Sequence, residues 1–508
     1  MKRARELRFA SASRTPVTAQ PPASLVGRND EWSALTRFVA SGEAAATLGI
    51  VWGRRRIGKS YLLQTLAEQT GGFYYEAQRG SSAEALRDLG ERLGAFQGTA
   101  APLALPSWEH AIDALLALGR DREILVVLDE FPYLLEHTPG IDSAIQRLYG
   151  PRQASKIASR TRLILCGSAM SVMGKLLIGT APLRGRAGLD LRLSPFDFRM
   201  ARELHNIADL ATAFRTYAVI GGVAAYAREM SGNDCPRNAD DFDRWICERV
   251  LSPSSPLFRE VGLLLSEDPT AGKARKQNLY HATLAAVADG NHAWSTLANY
   301  VKITGASLTP IIEALVTAEF IARNADPVRD NRPTYHPADP LLRFHYALLR
   351  RRQSRLARPG ADTLAIWRES QPTFNAQIVG PCFEDVARYW TSHYASPATL
   401  GGVAEHVGAT TLLLADGAPC ELDVVVADDD ASTPSQRTIR AIGEAKAGAT
   451  LSERHLERLV AARTALGVRA ASAKLLLIGR AFAPPLFQQA EARRDVELID
   501  LARLYEGE

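Results

Sequence analysis

An octapeptide whose residue types suit a triphosphate begins at residue 53. The pattern GxxxxGK[ST] is matched in full by the run Gly53, Arg54, Arg55, Arg56, Ile57, Gly58, Lys59 and Ser60. Glycines let backbone N–H groups turn toward phosphate oxygens, the Lys59 ammonium neutralises the β- and γ-phosphates, and the Ser60 hydroxyl can reach magnesium. We therefore expect ATP and Mg²⁺ as cofactors, held by this run and by Tyr61. The alternative is a glycine-rich turn that binds nothing.

A second feature of phosphate chemistry is a pair of carboxylates that follows an apolar run. Ile124–Leu128 is followed directly by Asp129 and Glu130, seventy residues after Lys59. Asp129 is expected to hold magnesium through water, and Glu130 to orient and polarise the attacking water. Glu130 is the reason to predict hydrolysis of ATP to ADP and phosphate rather than binding alone. An acidic pair of this kind could also simply begin a loop.

Two further side chains are candidates for contact with the γ-phosphate. Ser168 follows the apolar run Leu163–Cys166 and could reach the γ-phosphate or the water, although a turn serine is an equal alternative. Arg186 lies further along the chain, and a role for it in sensing or stabilising the γ-phosphate is implied only by the family resemblance that these motifs carry together. Its alternative is a solvated charge in a surface loop.

The C-terminal part of the chain contains a separate acidic pattern. Asp423 lies in one strand pattern, and Glu444 and Lys446 lie on one face of another, which gives the arrangement D…ExK. Two acids that converge on magnesium, with a lysine near the attacking water, suit phosphodiester cleavage. Glu384, on an upstream helix, is the expected third acid. Loss of activity, with the fold kept for binding, is the open alternative.

The elements that must position these groups follow from hydrophobic periodicity. Apolar runs alternate with helical patterns through residues 25–193, which predicts an α/β domain with a parallel sheet covered on both faces. The five expected strands are Leu48–Trp52, Phe73–Tyr75, Ile124–Leu128, Leu163–Cys166 and Leu189–Leu193.

The whole chain is expected to divide into six segments. They are a basic flexible tail at 1–23, an ATPase domain at 24–196, a helical lid at 197–276, a winged helix at 277–348, a basic linker at 349–373 and a nuclease-like α/β domain at 374–508. The winged helix is expected from three helical patterns with helix-turn-helix spacing, followed by two short strands. Its third helix, Leu308–Ala318, lacks Lys and Arg, so any DNA contact is expected from the wing.

Composition narrows the class of protein. Among 508 residues, 46% are hydrophobic and 23% charged, which is ordinary for a folded protein of several domains. The net charge of +4 permits a nucleic-acid surface without requiring one. Five cysteines without a CxxC pair disfavour a zinc site or disulfide framework and favour a reducing cytoplasm. The absence of a long apolar run predicts no membrane partner.

Several of these motifs together resemble the archaeal-type ATPases, a branch of the P-loop ATPases related to AAA+ and STAND proteins. The resemblance is carried by Val26-Gly27-Arg28 with Glu31, the loop Gly53–Ser60, Leu128–Phe131, Cys166–Ser168, Leu183–Arg186, Leu193–Phe196, Tyr217 with Gly221–Val223 and Tyr226, and Asp339–Phe344. It implies an ATP-dependent switch or motor, with a winged helix and a restriction-endonuclease-like domain in the C-terminal half.

Two classes of function remain open at this point. The leading hypothesis is an ATPase whose nucleotide state moves a DNA-binding, nuclease-like arm. The rival is a STAND-like signalling or scaffold switch whose C-terminal half is an inactive nuclease-like domain that binds protein partners. Action within a homo-oligomer, as in an orphan mobile-element or defence protein, is a further possibility.

Overall fold

The computed structural model describes residues 19–23, 25–177, 181–267 and 274–508. They form two compact units, Met1–Leu193 and Ser194–Glu508. Residues 1–18 of the expected basic tail lie outside the described residues.

The first unit is built on a five-stranded parallel sheet. Its strands are β1 (Thr47–Trp52), β2 (Phe73–Glu76), β3 (Ile124–Asp129), β4 (Thr161–Gly167) and β5 (Ala187–Arg192). They lie in the order β2-β3-β4-β1-β5, and all neighbouring pairs are parallel. The expectation of an α/β domain with a parallel sheet is confirmed. Strand β4 lies between β1 and β3 in this order. Because the strands are parallel, the carboxyl ends of these three strands lie at the same edge of the sheet.

Helices connect the strands of this sheet. They are α1 (Asn29–Val39), α2 (Lys59–Thr70), α3 (Ser82–Gln97), α4 (Trp108–Ala117), α5 (Phe131–His137), α6 (Ile141–Leu148), α7 (Ala154–Ile157) and α8 (Met170–Met173), with a 3₁₀ turn at Gly174–Leu177. Every residue of β3 and of β4 is buried. A strand without an exposed position is covered on both faces, which is why these runs are continuously apolar instead of alternating.

The second unit begins with helices. They are α9 (Phe198–His205), α10 (Leu210–Ile220), α11 (Ala239–Trp245), α12 (Pro256–Glu267), α13 (Ala274–Ala288), α14 (Trp294–Val301) and α15 (Gly305–Thr317), with π-helical segments at Tyr226–Met230 and Ile246–Val250. Strands β6 (Ile321–Asn324) and β7 (Thr334–Pro337) then form an antiparallel hairpin. Three helices and a hairpin are thus present where the winged helix is expected, and its assignment stays a prediction.

The segment 349–373 is helical, so its interpretation as a linker is wrong. The elements here are α16 (Pro340–Phe344), α17 (Arg350–Leu356) and α18 (Thr363–Phe374), with π-helical segments at His345–Leu349 and Asn375–Val379. Leu356 and Trp367 are buried and anchor the two helices, while the arginines of α17 are mostly exposed. The Pro359-Gly360 pair only forms the turn between them, since Gly360 has a positive φ of 74°.

The C-terminal residues form a mixed five-stranded sheet. Its strands are β8 (His406–Leu413), β9 (Pro419–Ala427), β10 (Ile439–Lys446), β11 (Lys474–Gly479) and β12 (Val496–Ile499), in the order β12-β11-β10-β9-β8. Strands β8, β9 and β10 are antiparallel, whereas β10, β11 and β12 run parallel. The accompanying helices are α19 (Gly380–His393), α20 (Pro397–Leu400), α21 (Glu453–Leu466), α22 (Pro484–Ala492) and α23 (Leu501–Glu506), with 3₁₀ turns at Pro434–Gln436 and Gly467–Ala470.

Membrane insertion has no support in the helices. Across residues 19–23, 25–177, 181–267 and 274–508, no helix has the length and apolar character needed to span a bilayer.

Candidate functional site

The loop between β1 and α2 has the curled backbone that phosphate binding requires. Gly53 has a φ of +152° and Gly58 a φ of +93°, both in regions that favour glycine. Arg56, between them, also has a positive φ of 69°. Gly58 is the residue that precedes the first turn of α2, so the unpaired N–H groups of that turn face the loop.

Lys59 is the first residue of α2, and its side chain is only 6% exposed. Its Nζ donates to the carbonyl oxygens of Gly53 and Arg54, each at 2.8 Å. Burial lowers the pKa of Lys59, and the nearby Cys166, Glu130 and Asp129 oppose that shift. An ammonium has three donors, so two of them fasten the loop and a third is left for a phosphate oxygen.

Arginines connect this loop to its surroundings. Arg28 is buried, pairs with Glu31 at 2.7 Å, and donates to the carbonyl of Ile57 at 3.3 Å. Arg55 donates to the hydroxyl of Tyr133 at 2.6 Å. The segment before α1 and helix α5 thus both help to fix the loop, and Tyr133 is a contact that sequence analysis missed.

Asp129 ends β3 and is 1% exposed. Its carboxylate accepts hydrogen bonds from the Tyr74 hydroxyl at 2.6 Å and from the backbone N–H of Glu130 at 2.8 Å. Ser60 is the second residue of α2, and it and Asp129 are the two residues expected to serve magnesium.

Glu130 follows Asp129 in a left-handed backbone conformation, with φ 50° and ψ 40°. This uncommon conformation turns the chain sharply between β3 and α5. The Ser168 hydroxyl, just beyond β4, lies 3.0 Å from each carboxylate oxygen of Glu130 and donates to this carboxylate. Burial and then the charge of Asp129 raise the pKa of Glu130, while Lys59, Arg55 and Ser168 oppose the rise. A buried carboxylate with a raised pKa suits a general base.

The remaining residues expected near the nucleotide differ in position. Tyr61 is 48% exposed at the start of α2, as a residue open to a ligand would be. The Arg186 guanidinium donates to the carbonyl of Tyr149 at 3.4 Å. Its γ-phosphate role stays a prediction.

Tyr74 is the functional residue that sequence analysis missed. Alternation along β2 and its pairing with β3, where Glu76 lies opposite Asp129, are the signals that could have placed Tyr74 at this edge.

The residues present fit a magnesium ion by their chemistry. Ser60 and Asp129 offer the hard oxygen donors that this cation prefers, one in the first turn of α2 and the other at the carboxyl end of β3. They would hold the ion, which when bound neutralises charge on the β- and γ-phosphates.

The four residues of the C-terminal acidic pattern are connected through charge. Lys446 donates to Asp423 at 3.0 Å and lies 3.6 Å from Glu444. Burial and the neighbouring Asp423 raise the pKa of Glu384 to about 8. In addition, Arg458 lies 3.6 Å from Glu444, and sequence analysis did not anticipate it. Within the described ranges, no group of three or more His, Cys, Asp or Glu side chains is placed to hold a metal ion.

Comparison with known proteins gives a family match that covers most of the first unit and the first residues of the second. Residues 25–213 match the family described as an ATPase domain predominantly from Archaea. An uncharacterized protein of Methanocaldococcus jannaschii is 26% identical over 328 residues, which is 63% of this chain and 68% of that protein.

Two solved structures are similar in part. The Walker-type ATPase of Pyrococcus abyssi is 22% identical with a TM-score of 0.49, over 63% of this chain and 96% of that one. The ORC2 protein of Aeropyrum pernix, solved as ADPNP and ADP complexes, is 13% identical with a TM-score of 0.39, over 67% of this chain and 99% of that one. The residues that match this family contain the complete phosphate-loop motif, so the similarity to archaeal-type P-loop ATPase domains applies to residues 25–213.

Proposed function

We propose that this protein is a magnesium-dependent ATPase in which Glu130 activates the attacking water. The observation that carries the proposal is the placement of the Glu130 carboxylate. It is held by the Ser168 hydroxyl at 3.0 Å, directly beside Asp129 and on the same sheet edge as the phosphate loop. A site for binding alone has no need of a second, separately oriented carboxylate.

The side chains divide the work of the reaction. Lys59 and the loop N–H groups bind the phosphates, and the ammonium stabilises the charge that develops at the transferred phosphoryl group. Ser60 and Asp129 hold the magnesium ion. Glu130 accepts a hydrogen bond from water and takes up its proton as the oxygen attacks, and Ser168 keeps the carboxylate aimed. The expected products are ADP and phosphate.

Two substitutions test this proposal. Lys59→Ala should abolish nucleotide binding and turnover, because it removes the ammonium and both loop contacts. Glu130→Gln should retain ATP binding and reduce the turnover rate by at least about 100-fold, the usual contribution of a general base. Glu136→Gln, a change at an exposed carboxylate on α5, is the matched control and should leave turnover unchanged. The assay is phosphate release by the wild type and these variants, measured with and without DNA. A wild type that binds ATP without any turnover contradicts the proposal.

We also propose a metal-dependent nuclease role for the C-terminal sheet, supported by the connection of Asp423, Glu444 and Lys446. Strands β9 and β10 present these side chains together, and α19 brings Glu384 within electrostatic range of Asp423. Lys446 is half-exposed, and its ammonium could stabilise the negative charge that develops on an attacking water or on a phosphate.

Cleavage of plasmid and single-stranded DNA with Mg²⁺ or Mn²⁺ tests this second role. Asp423→Ala and Lys446→Ala should each abolish cleavage, whereas Glu421→Gln, at an exposed position of β9, should not. Cleavage that persists in both of the first two variants excludes this site.

The STAND-like alternative is separated from a DNA role by the salt dependence of binding. Contacts between arginines and phosphates predict DNA affinity that falls steeply with salt. A protein-binding switch predicts no DNA shift at any salt concentration, and capture of a protein partner or a homo-oligomer instead.

A further inference from the structure

The Tyr74 hydroxyl is in contact with a carboxylate assigned to magnesium. It donates to one carboxylate oxygen of Asp129 at 2.6 Å. Tyr74 belongs to the edge strand β2, and its side chain is half-buried.

A water bound to magnesium would need the same carboxylate. Ser60 would bind the cation through its oxygen, and a cation-bound water would donate to Asp129. One Asp129 oxygen already accepts from Tyr74 and the other from the Glu130 N–H. The tyrosine hydroxyl therefore competes with a cation-bound water for this carboxylate.

The position of Asp129 does not depend on Tyr74 alone. Its other carboxylate oxygen accepts from the Glu130 N–H at 2.8 Å. Removal of the Tyr74 hydroxyl would thus leave Asp129 oriented and free one of its acceptor sites. The variant therefore loses the competing hydroxyl and keeps the Asp129 carboxylate in position.

We propose that Tyr74 competes with the hydrated divalent cation for Asp129, and thereby sets the Mg²⁺ concentration at which nucleotide binds. This inference rests on the proposed function. It makes Tyr74 a positioning residue that acts on cation affinity and takes no part in the chemical step.

The test is the Mg²⁺ dependence of ADP binding, measured by calorimetry on the full chain. Tyr74→Phe should lower the half-saturating Mg²⁺ concentration by roughly threefold to tenfold, since one hydrogen bond no longer has to be exchanged. ADP affinity in the presence of EDTA should be unchanged. Mn²⁺ binding followed by electron paramagnetic resonance should show the same shift without any turnover.

Tyr75→Phe is the matched control. Tyr75 is adjacent in β2, and its hydroxyl donates to the carbonyl of Ala85 at 3.3 Å, away from Ser60 and Asp129. This variant should bind Mg²⁺ and ADP as the wild type does. Tyr74→Leu also lacks the hydroxyl and supplies the comparison if the phenylalanine variant does not fold.

The possible results separate the inference from the function beneath it. If wild type and Tyr74→Phe bind ADP with the same Mg²⁺ dependence, or if the variant needs more Mg²⁺, the competition is refuted and the ATPase proposal stands. If the folded wild type binds no nucleotide at any Mg²⁺ concentration, both are refuted.

Discussion

The two glycines of the phosphate loop should fail in different ways when each is replaced by alanine. A Cβ at Gly53 would lie 2.3 Å from the carbonyl oxygen of Leu193 and 2.7 Å from Cδ1 of Ile57. The backbone oxygen cannot move without disturbing the end of β5. A Cβ at Gly58 would meet no atom within 4 Å. The first substitution therefore strains the fold, whereas the second projects into the space that a phosphate would use.

The magnitudes follow from these contacts. At Gly53 the backbone region costs about 1–3 kcal/mol and the steric conflict about 1–3 kcal/mol more. At Gly58 only the left-handed conformation is penalised, at about 1–2 kcal/mol. For a unit of this size each kcal/mol lowers the midpoint of thermal unfolding by about 2–4 °C. Gly53→Ala should therefore lower this midpoint about twice as much as Gly58→Ala.

Thermal unfolding of the full chain, followed by ADP titration, measures both effects. The transition that ADP raises in the wild type identifies the nucleotide-binding unit. Gly58→Ala should keep most of the stability of this transition and lose its response to ADP. If Gly53→Ala is as stable as the wild type, or Gly58→Ala is the less stable of the two, the steric reasoning is refuted.

Three further predictions concern the catalytic carboxylate, acid stability and a buried ion pair. Ser168→Ala should lower the turnover rate with unchanged ATP affinity, and steady-state kinetics should show no further loss when it is added to Glu130→Gln. Burial lowers the pKa of His205 from 6.5 to about 4 in the folded protein. Between pH 4 and 6.5, this histidine therefore binds a proton in the unfolded chain but not in the folded one. Stability should thus fall as the pH falls from 6.5 toward 4, by roughly 3 kcal/mol in total, and urea titrations should show a smaller fall in His205→Leu. Asp385→Ala should cost about 1–3 kcal/mol of unfolding free energy in the same assay, because it leaves the buried Arg343 without its partner at 2.5 Å, while Asp385 itself is 36% exposed; a variant as stable as the wild type contradicts this.

The parallel sheet and its phosphate loop could be predicted because local signals agree. Each strand of the first unit is a short apolar run, and the motif Gly53–Ser60 follows one of them directly. Asp129 and Glu130 were predicted at the carboxyl end of a strand because the two carboxylates directly follow an apolar run, and Asp129 does end β3. Their catalytic roles stay predictions. To predict the contact between Glu130 and Ser168, one would also need to know that β3 and β4 are neighbours in the sheet.

Tyr74 and Tyr133 could not be found in the same way. Both are aromatic residues without a sequence motif around them. Tyr74 hydrogen-bonds to Asp129, which is 55 positions away in the sequence, and Tyr133 to Arg55, which is 78 positions away. The linker at 349–373 was misjudged for a related reason. Its arginines and the Pro-Gly pair indicated exposure, but burial of Leu356 and Trp367 outweighs the composition of the exposed face.

The last residue of the first unit completes the geometry of the phosphate loop. The N–H of Leu193 donates to the carbonyl of Trp52 at 2.8 Å, and the Leu193 carbonyl lies against Gly53. Since 140 residues separate Gly53 from Leu193, the loop cannot reach this arrangement on the ribosome until residue 193 has emerged. ADP retention by stalled nascent chains should therefore appear only after β5 has left the exit tunnel, which makes nucleotide capture a marker of completed folding in this unit.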